Sequence, residues 1–297
     1  MPDVSSHAAV ERLDLGVAVV DGDFSNGFGG GVNMRSYLFV PGDRPERFAK
    51  ALASGADRVI LDLEDAVSPS NKAVAREHIA KAIEEGAEVM IRINSPSSDA
   101  FDDDLALVRR LPIKAVMLPK AESAESMRAL VDATDAAIVP LIESASGVWR
   151  VLDVAGGLNV ERLAFGSIDF QVDVGCAHTD EALLYARSQI VLASRVAGLQ
   201  APLDGVSVIL DDGEVIAAEA TRSRELGFAG KLCIHPRQVK FVNQAFTPSP
   251  QELVWAQRVV EASRRAGGAA VSVDGSMVDL PVLIRAQNLL ALAGSVR

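Results

Sequence analysis

Cysteine is scarce in this sequence: 297 residues contain two, Cys176 and Cys233, with neither a CxxC pair nor the Cys/His spacing of a zinc ligand set. That excludes a disulfide framework and a structural zinc site, and makes a reducing compartment, the cytoplasm, the expected location. Positive charge is short as well. Lys plus Arg number 29 against 40 Asp plus Glu, a formal net charge of −11, so no basic excess is available to neutralise a phosphate backbone and nucleic acid is excluded as a partner. No apolar run approaches the roughly 20 residues that span a bilayer, which leaves no membrane partner. The first residues lack the basic start and long apolar run of a secretory signal, their best candidate being Leu15 to Val20, so export is not expected. A GxGxxG turn after the first strand is also missing, which argues against a dinucleotide-binding open sheet.

What is present is a chain 49% hydrophobic and 23% charged, able to bury a full-sized core and too apolar for disorder. Residues 1–33 are the exception. They hold no Lys, one Arg and the glycine-rich run FSNGFGGGVN at 24–33, and are read as a loose extension ahead of Met34, itself a candidate start of translation. From Arg35 onward, short runs rich in β-branched residues recur about every 25 to 30 residues, each followed by helical periodicity, the rhythm of βα units. The strand candidates are SYLFVP (36–41), RVILDLE (58–64), EVMIRIN (88–94), KAVMLPK (114–120), AIVPLIE (137–143), RLAFGS (162–167), PLDGVS (202–207) and KLCIHP (231–236). Helices are expected at 44–54, 71–85, 123–132, 181–197 and 213–226. Eight such units predict a (β/α)8 TIM barrel over 34–247 in preference to a doubly wound open sheet. Residues 248–297 continue as a C-terminal lid and oligomerisation segment: a helix over 251–266, a short strand pair in AAVSVDGSMVDL, and a last helix from Pro281.

In such a barrel the active site lies at the carboxyl ends of the strands. Alternation puts Ile60, Asp62 and Glu64 on one face of the second strand, and Met90, Arg92 and Asn94 on one face of the third. Glu143 ends the fifth strand and Asp169 follows the sixth. Buried carboxylates are costly unless paired or bound to metal, and these two, one βα unit apart, could meet as oxygen ligands of a hard cation such as Mg²⁺, which takes one or two protein carboxylates and leaves other positions to water and substrate. The alternative for two acids at strand ends is a helix cap or a salt bridge. Arg92 presents either a planar fork of donors to a substrate oxygen or an ion pair with Asp62 or Glu64 across neighbouring strands. Lys120 faces the barrel mouth as a substrate contact, with a pairing to Glu122 as the plainer reading. His235 reads as structural, His7, His78 and His178 as incidental, and both cysteines as buried small hydrophobes.

Eight segments in order carry a resemblance over about residues 35–290: RSYLFVPGDRPERFAKA (35–51), LDLEDAV (61–67), IRIN (91–94), LPKAE (118–122), LIESASG (141–147), AFGSIDF (164–170), GKLCIHPRQV (230–239) and DGSMVDLP (274–281). The chain resembles the citrate lyase β-subunit-like branch of the HpcH/HpaI aldolases, which includes malyl-CoA and citramalyl-CoA lyases. The resemblance implies a Mg²⁺-dependent carbon-carbon lyase that splits a 3-hydroxyacyl-CoA into acetyl-CoA and a 2-oxo acid, or runs the reverse condensation, usually as a homotrimer or hexamer with a shared site. It places the metal on Glu143 and Asp169 and a substrate-binding arginine on Arg92. Glu64 is counted with Arg92 among the catalytic groups, and Asp62, Glu64 and Asp65 orient Arg92 and metal-bound water. Asp279, supplied by an adjacent subunit, would move the proton, although an N-cap ahead of Pro281 explains it too. Arg44, with Arg47 and Lys50, would meet the CoA phosphates. Where free-acid aldolases of the wider superfamily carry a histidine, this chain has Glu64-Asp65-Ala66, which favours a thioester. The alternatives are a citrate lyase β subunit acting on an acyl-carrier-protein thioester, a malyl-CoA thioesterase and, outside enzymes, a non-catalytic oligomeric scaffold.

Overall fold

A computed structural model of the chain describes residues 34–294 except Gly268, so the extension expected over 1–33 lies outside the described residues. Eight parallel strands close into a barrel in chain order: β1 (Ser36–Pro41), β2 (Arg58–Asp62), β3 (Met90–Arg92), β4 (Ala115–Leu118), β5 (Ala137–Ile142), β6 (Ala164–Phe165), β7 (Leu203–Asp204) and β8 (Gly230–Cys233). All eight runs seen in the sequence form strands, most of them trimmed at the ends. β2 stops short of Glu64, and β3 keeps only the centre of its run. A parallel sheet covered by helices is buried on both faces, and alternate side chains sort into two layers. Tyr37, Ile60, Met90, Met117, Val139, Leu141 and Leu232 fill the interior, while Leu38, Val40, Leu61, Leu63, Ile91, Val116 and Ile138 face the helices.

The surrounding helices are α1 (Phe48–Leu52), α2 (Lys72–Glu84), α3 (Phe101–Arg110), α4 (Arg128–Val131), α5 (Ala145–Trp149), α6 (Val151–Ala155), α7 (Ser167–Val174), α8 (Asp180–Val196), α9 (Gly213–Leu226) and α10 (Pro236–Phe246). In α2, Ala75, Ile79, Ala80 and Ile83 form the buried stripe that the sequence periodicity predicts. Two expected helices come out shorter. The 44–54 stretch divides into a 3₁₀ turn, Pro45–Arg47, and α1; the 123–132 stretch into a 3₁₀ turn, Glu125–Met127, and α4. Neither begins with a side-chain cap, so the first N–H groups fall back on the tighter closure of a 3₁₀ turn. Cys233 is buried as expected, but Cys176 is only partly covered, because it lies in the loop after α7 and not beneath a helix.

Past the eighth unit, Ser249 and Glu252 form a capping box for α11 (Pro250–Arg265). β9 (Val271–Val273) and β10 (Ser276–Val278) then pair antiparallel, and α12 (Leu280–Gly294) follows. Ala256, Val259, Val278, Ala286 and Leu289 make a hydrophobic cluster separate from that of the barrel. Arg224 at the end of α9 reaches this segment through Glu252, at 2.7 Å. Among the described residues no helix is long and apolar enough to cross a membrane.

Candidate active site

Charge gathers where the strands end. The register of β2 and β3 sets Asp62 beside Arg92. Asp62 is fully buried and accepts hydrogen bonds from Arg92 Nε at 2.7 Å and Nη2 at 2.6 Å. The same carboxylate accepts the backbone N–H groups of Glu64 and Ala66, so one side chain fixes both the arginine and the bend that follows β2. Arg92 Nη1 lies 3.0 Å from Glu64 Oε2, and its guanidinium stacks 4.7 Å from the centre of the Phe39 ring. The cross-strand ion pair therefore forms, and the edge of the fork bearing Nε and Nη2 is occupied by Asp62; Nη1 is the donor left nearest Glu64. Burial works against the Arg92 charge, but Asp62 first, then Glu64 and Glu143, hold its pKa above the ordinary value.

Glu143, just past β5, is 3% exposed. Its Oε1 accepts the Lys120 N–H at 2.8 Å, whereas Oε2 is buried without a hydrogen-bond partner. Burial, followed by the charges of Glu64 and Asp169, pushes the Glu143 carboxyl up to about 8. Glu64 rises to about 7, chiefly through burial and in spite of Arg92. Gly166 makes room for this acid: a Cβ there would lie 2.5 Å from Glu143 Cβ and 2.7 Å from Oε2, so only glycine lets the exit of β6 run against the carboxylate. Asp169 stands exposed in the first turn of α7, and its charge reaches both Glu143 and Lys120.

Lys120 adopts a left-handed backbone, φ 51°, which is unfavourable for a residue with a side chain. That turn aims its N–H at Glu143 while Nζ approaches Glu64 Oε1 at 3.7 Å. Burial opposes the ammonium charge, and Glu64, Asp65, Glu143 and Asp169 together raise its pKa. The pairing with Glu122 weighed in the sequence does not form: Glu122 accepts from the Ser144 hydroxyl at 2.7 Å, because the turn at Lys120 sends its side chain the other way. Nothing in the sequence marks that turn.

No group of three or more His, Cys, Asp or Glu side chains among the described residues is arranged to hold a metal. Two carboxylates are what Mg²⁺ commonly uses, and the unpartnered, buried Glu143 Oε2, within electrostatic reach of Asp169, fits a small divalent cation. The remaining residues singled out in the sequence lie further off. Arg44 is exposed in the loop after β1, 3.8 Å from Asp43, with Arg47 and Lys50 also exposed. Asp65 is exposed next to Glu64. His235 caps α10, its Nδ1 accepting the Arg237 N–H. Asp279 accepts the Val282 N–H at 3.3 Å, the capping reading, and among the described residues no hydrogen bond or ion pair joins it to Arg92, Glu143 or Asp169.

The model of the family described as HpcH/HpaI aldolase/citrate lyase matches residues 35–236. The chain belongs to the HpcH/HpaI aldolase/citrate lyase family. Two relatives within the reach of this family's likeness span nearly the whole chain. A citrate lyase subunit beta-like protein of Deinococcus radiodurans is 36% identical over 278 residues, 87% of this chain and 96% of that protein. The mitochondrial citramalyl-CoA lyase of Homo sapiens is 32% identical over 294 residues, 89% of this chain and 86% of that protein. A crystal structure of protein CitE from Mycobacterium tuberculosis, in complex with magnesium, acetoacetate and coenzyme A, superposes with a TM-score of 0.78 at 34% identity, covering 88% of this chain and 98% of that one.

Proposed function

We propose that the chain is a Mg²⁺-dependent carbon-carbon lyase that splits a 3-hydroxyacyl-CoA of the malyl or citramalyl type into acetyl-CoA and a 2-oxo acid. The observation that carries this reading is the buried, unpartnered Oε2 of Glu143 within electrostatic reach of Asp169 and beside Arg92. The relatives named for citramalyl-CoA and citrate lyase support it, as does the magnesium and coenzyme A in the Mycobacterium tuberculosis structure.

Glu143 and Asp169 would hold the cation, which when bound supplies a Lewis acid for the oxygen that gains charge. Asp62 fixes Arg92, whose Nη1 is turned toward the site to hold a carboxylate or thioester oxygen. Glu64 and Lys120 flank that oxygen, and Asp65 adds negative charge beside them. Arg44 on the β1 loop would meet the phosphates of the thioester. Asp279 would accept or return the methyl proton from a neighbouring copy, and the 248–297 segment would then serve as lid and assembly element in a homotrimer or hexamer. Exposed Trp149, Val172, Tyr185 and Val196 on α5, α7 and α8, with Met277 and Leu280 beside Asp279, support such assembly.

The test is incubation of the purified protein with Mg²⁺ and a panel of thioesters on CoA and on acyl-carrier protein, following oxo acid and free thiol separately. Oxo acid from a CoA substrate is the expected product. Free thiol without oxo acid would make the protein a thioesterase, turnover of the carrier-protein substrate alone a citrate lyase subunit, and silence throughout a scaffold.

A further inference from the structure

Behind β7 and β8 the layer between sheet and helices is charged, where the other strands offer it mostly apolar side chains. Leu203 and Leu232 point into the barrel and Cys233 toward the helices, so alternation turns Asp204 and Lys231 to the helix side. Both are essentially inaccessible. Asp204 accepts from Arg187 Nε of α8 at 3.0 Å and from the Ser223 hydroxyl of α9, with Lys231 Nζ at 3.8 Å. The same Oδ1 accepts the N–H of Gly205 at 2.8 Å. Gly205 in turn lies against Ser167, for any Cβ there would collide with the Ser167 hydroxyl.

Ser167 is 1% exposed and opens α7, the helix whose first turn bears Asp169. A buried hydroxyl needs a partner, and His178 Nε2 provides it at 3.0 Å. His178 sits in the loop between α7 and α8, within electrostatic reach of Arg187 of α8, Glu219 of α9, Lys231 of β8 and Asp204 of β7. Burial first, then the Arg187 cation, hold its imidazole below the ordinary range, so at neutral pH the ring is uncharged and keeps one donor and one acceptor nitrogen. The Asp169 side chain makes no hydrogen bond and no ion pair among the described residues. Its direction is inherited from the turn that carries it.

We propose that His178 is a positioning residue for Asp169: through the Ser167 hydroxyl it ties the opening turn of α7 to the buried charges of β7 and β8, and so fixes how Asp169 is offered to the cation. The inference rests on the reading of Glu143 and Asp169 as metal ligands. Groups that orient a metal's ligands commonly change affinity by about 10- to 100-fold.

The experiment titrates Mn²⁺, followed by its free-ion paramagnetic resonance signal, into the metal-free wild type and into His178→Ala, His178→Gln, Ser167→Ala, Glu143→Ala and Asp169→Ala, with melting temperature recorded for each. His178→Ala and Ser167→Ala should each weaken Mn²⁺ binding by about tenfold, and their double variant should bind no worse than either. His178→Gln, whose amide can still reach the hydroxyl, should recover most of the affinity, and in turnover assays the loss should show as a raised KM for Mg²⁺ with a smaller change in kcat. Wild-type affinity in His178→Ala, alongside loss in Glu143→Ala and Asp169→Ala, overturns this inference alone. Equal weakening by Ala and Gln in step with a lowered melting temperature also overturns it, leaving a role in folding only. Undiminished binding in Glu143→Ala and Asp169→Ala overturns the metal site itself.

Discussion

At Glu143 one oxygen is held by the Lys120 N–H and the other by nothing among the described residues, and from that asymmetry follow the expected responses to pH and, for the proposed metal site, to Mg²⁺. Glu143 and Glu64 sit near 8 and 7 in the fold against 4.5 outside it, so between those values the folded chain binds more protons than the unfolded one. Stability of the metal-free protein should therefore fall as pH rises from about 5 to 8. Saturating Mg²⁺ should flatten that slope; identical melting curves in chelator and in Mg²⁺ across the range would contradict the assignment. Glu143→Gln should abolish cation binding in calorimetry, lower kcat/KM by at least about 10²-fold, and raise the melting temperature of the metal-free protein at neutral pH, since folding no longer has to protonate a buried carboxyl. Asp62→Ala leaves the Nε and Nη2 edge of Arg92 unpaired, with Glu64 alone to balance its charge, and should cost about 3 kcal/mol in urea unfolding. Asn94, expected on the same face as Arg92, is instead held by Asp104 of α3. The places of Asp62 and Arg92 at the ends of β2 and β3 made their pairing legible in the sequence. That the edge of Arg92 bearing Nε and Nη2 would be spent on Asp62 was not, because an ion pair and a substrate contact demand the same residue at the same place.

Each barrel strand was readable because β-branched runs and the spacing between them are local properties. Short helices were less so: where no Ser, Thr, Asp or Asn closes the first turn, as before α1 and α4, periodicity overstates length. The left-handed turn at Lys120 left no trace at all, since lysine is a poor marker of positive φ. Lys120→Gly relieves that turn, and should leave the protein as stable or about 1 kcal/mol more so while lowering kcat/KM, a split visible by pairing chemical denaturation with the thioester assay. His235, at the head of α10, offers the opposite case. Its ring accepts a backbone N–H and Gln238 completes the capping box, so His235→Ala should cost about 1 kcal/mol of stability and leave turnover per folded molecule unchanged; a selective fall in kcat would place the ring in the chemistry.

For the molecule as a whole, eight units in order made the barrel predictable, and strand tips that carry acid and base made its charged end predictable, because chain connectivity dictates both. The relation of Asp279 to that end was not legible, since it caps its own helix within a cluster that packs on itself. Removal of residues 248–297 should leave a folded barrel by circular dichroism, with smaller mass in light scattering and no turnover. A truncated monomer that remained fully active would show that one copy suffices.

The charged layer behind β7 and β8 makes the eight staves of the ring unequal. Elsewhere one apolar side chain can often replace another at modest loss, whereas Asp204 balances both Arg187 and Lys231 and accepts from Ser223, so its removal leaves two buried cations without their shared counter-charge. A chimaera that imported a foreign seventh stave without α8, α9 and the eighth would misfold although every other junction matched. Crossover points for recombining this barrel with its relatives therefore belong outside the β7–β8 pair, and also outside the α2–α3 span, where buried Asp104 holds Arg76 and Asn94 together.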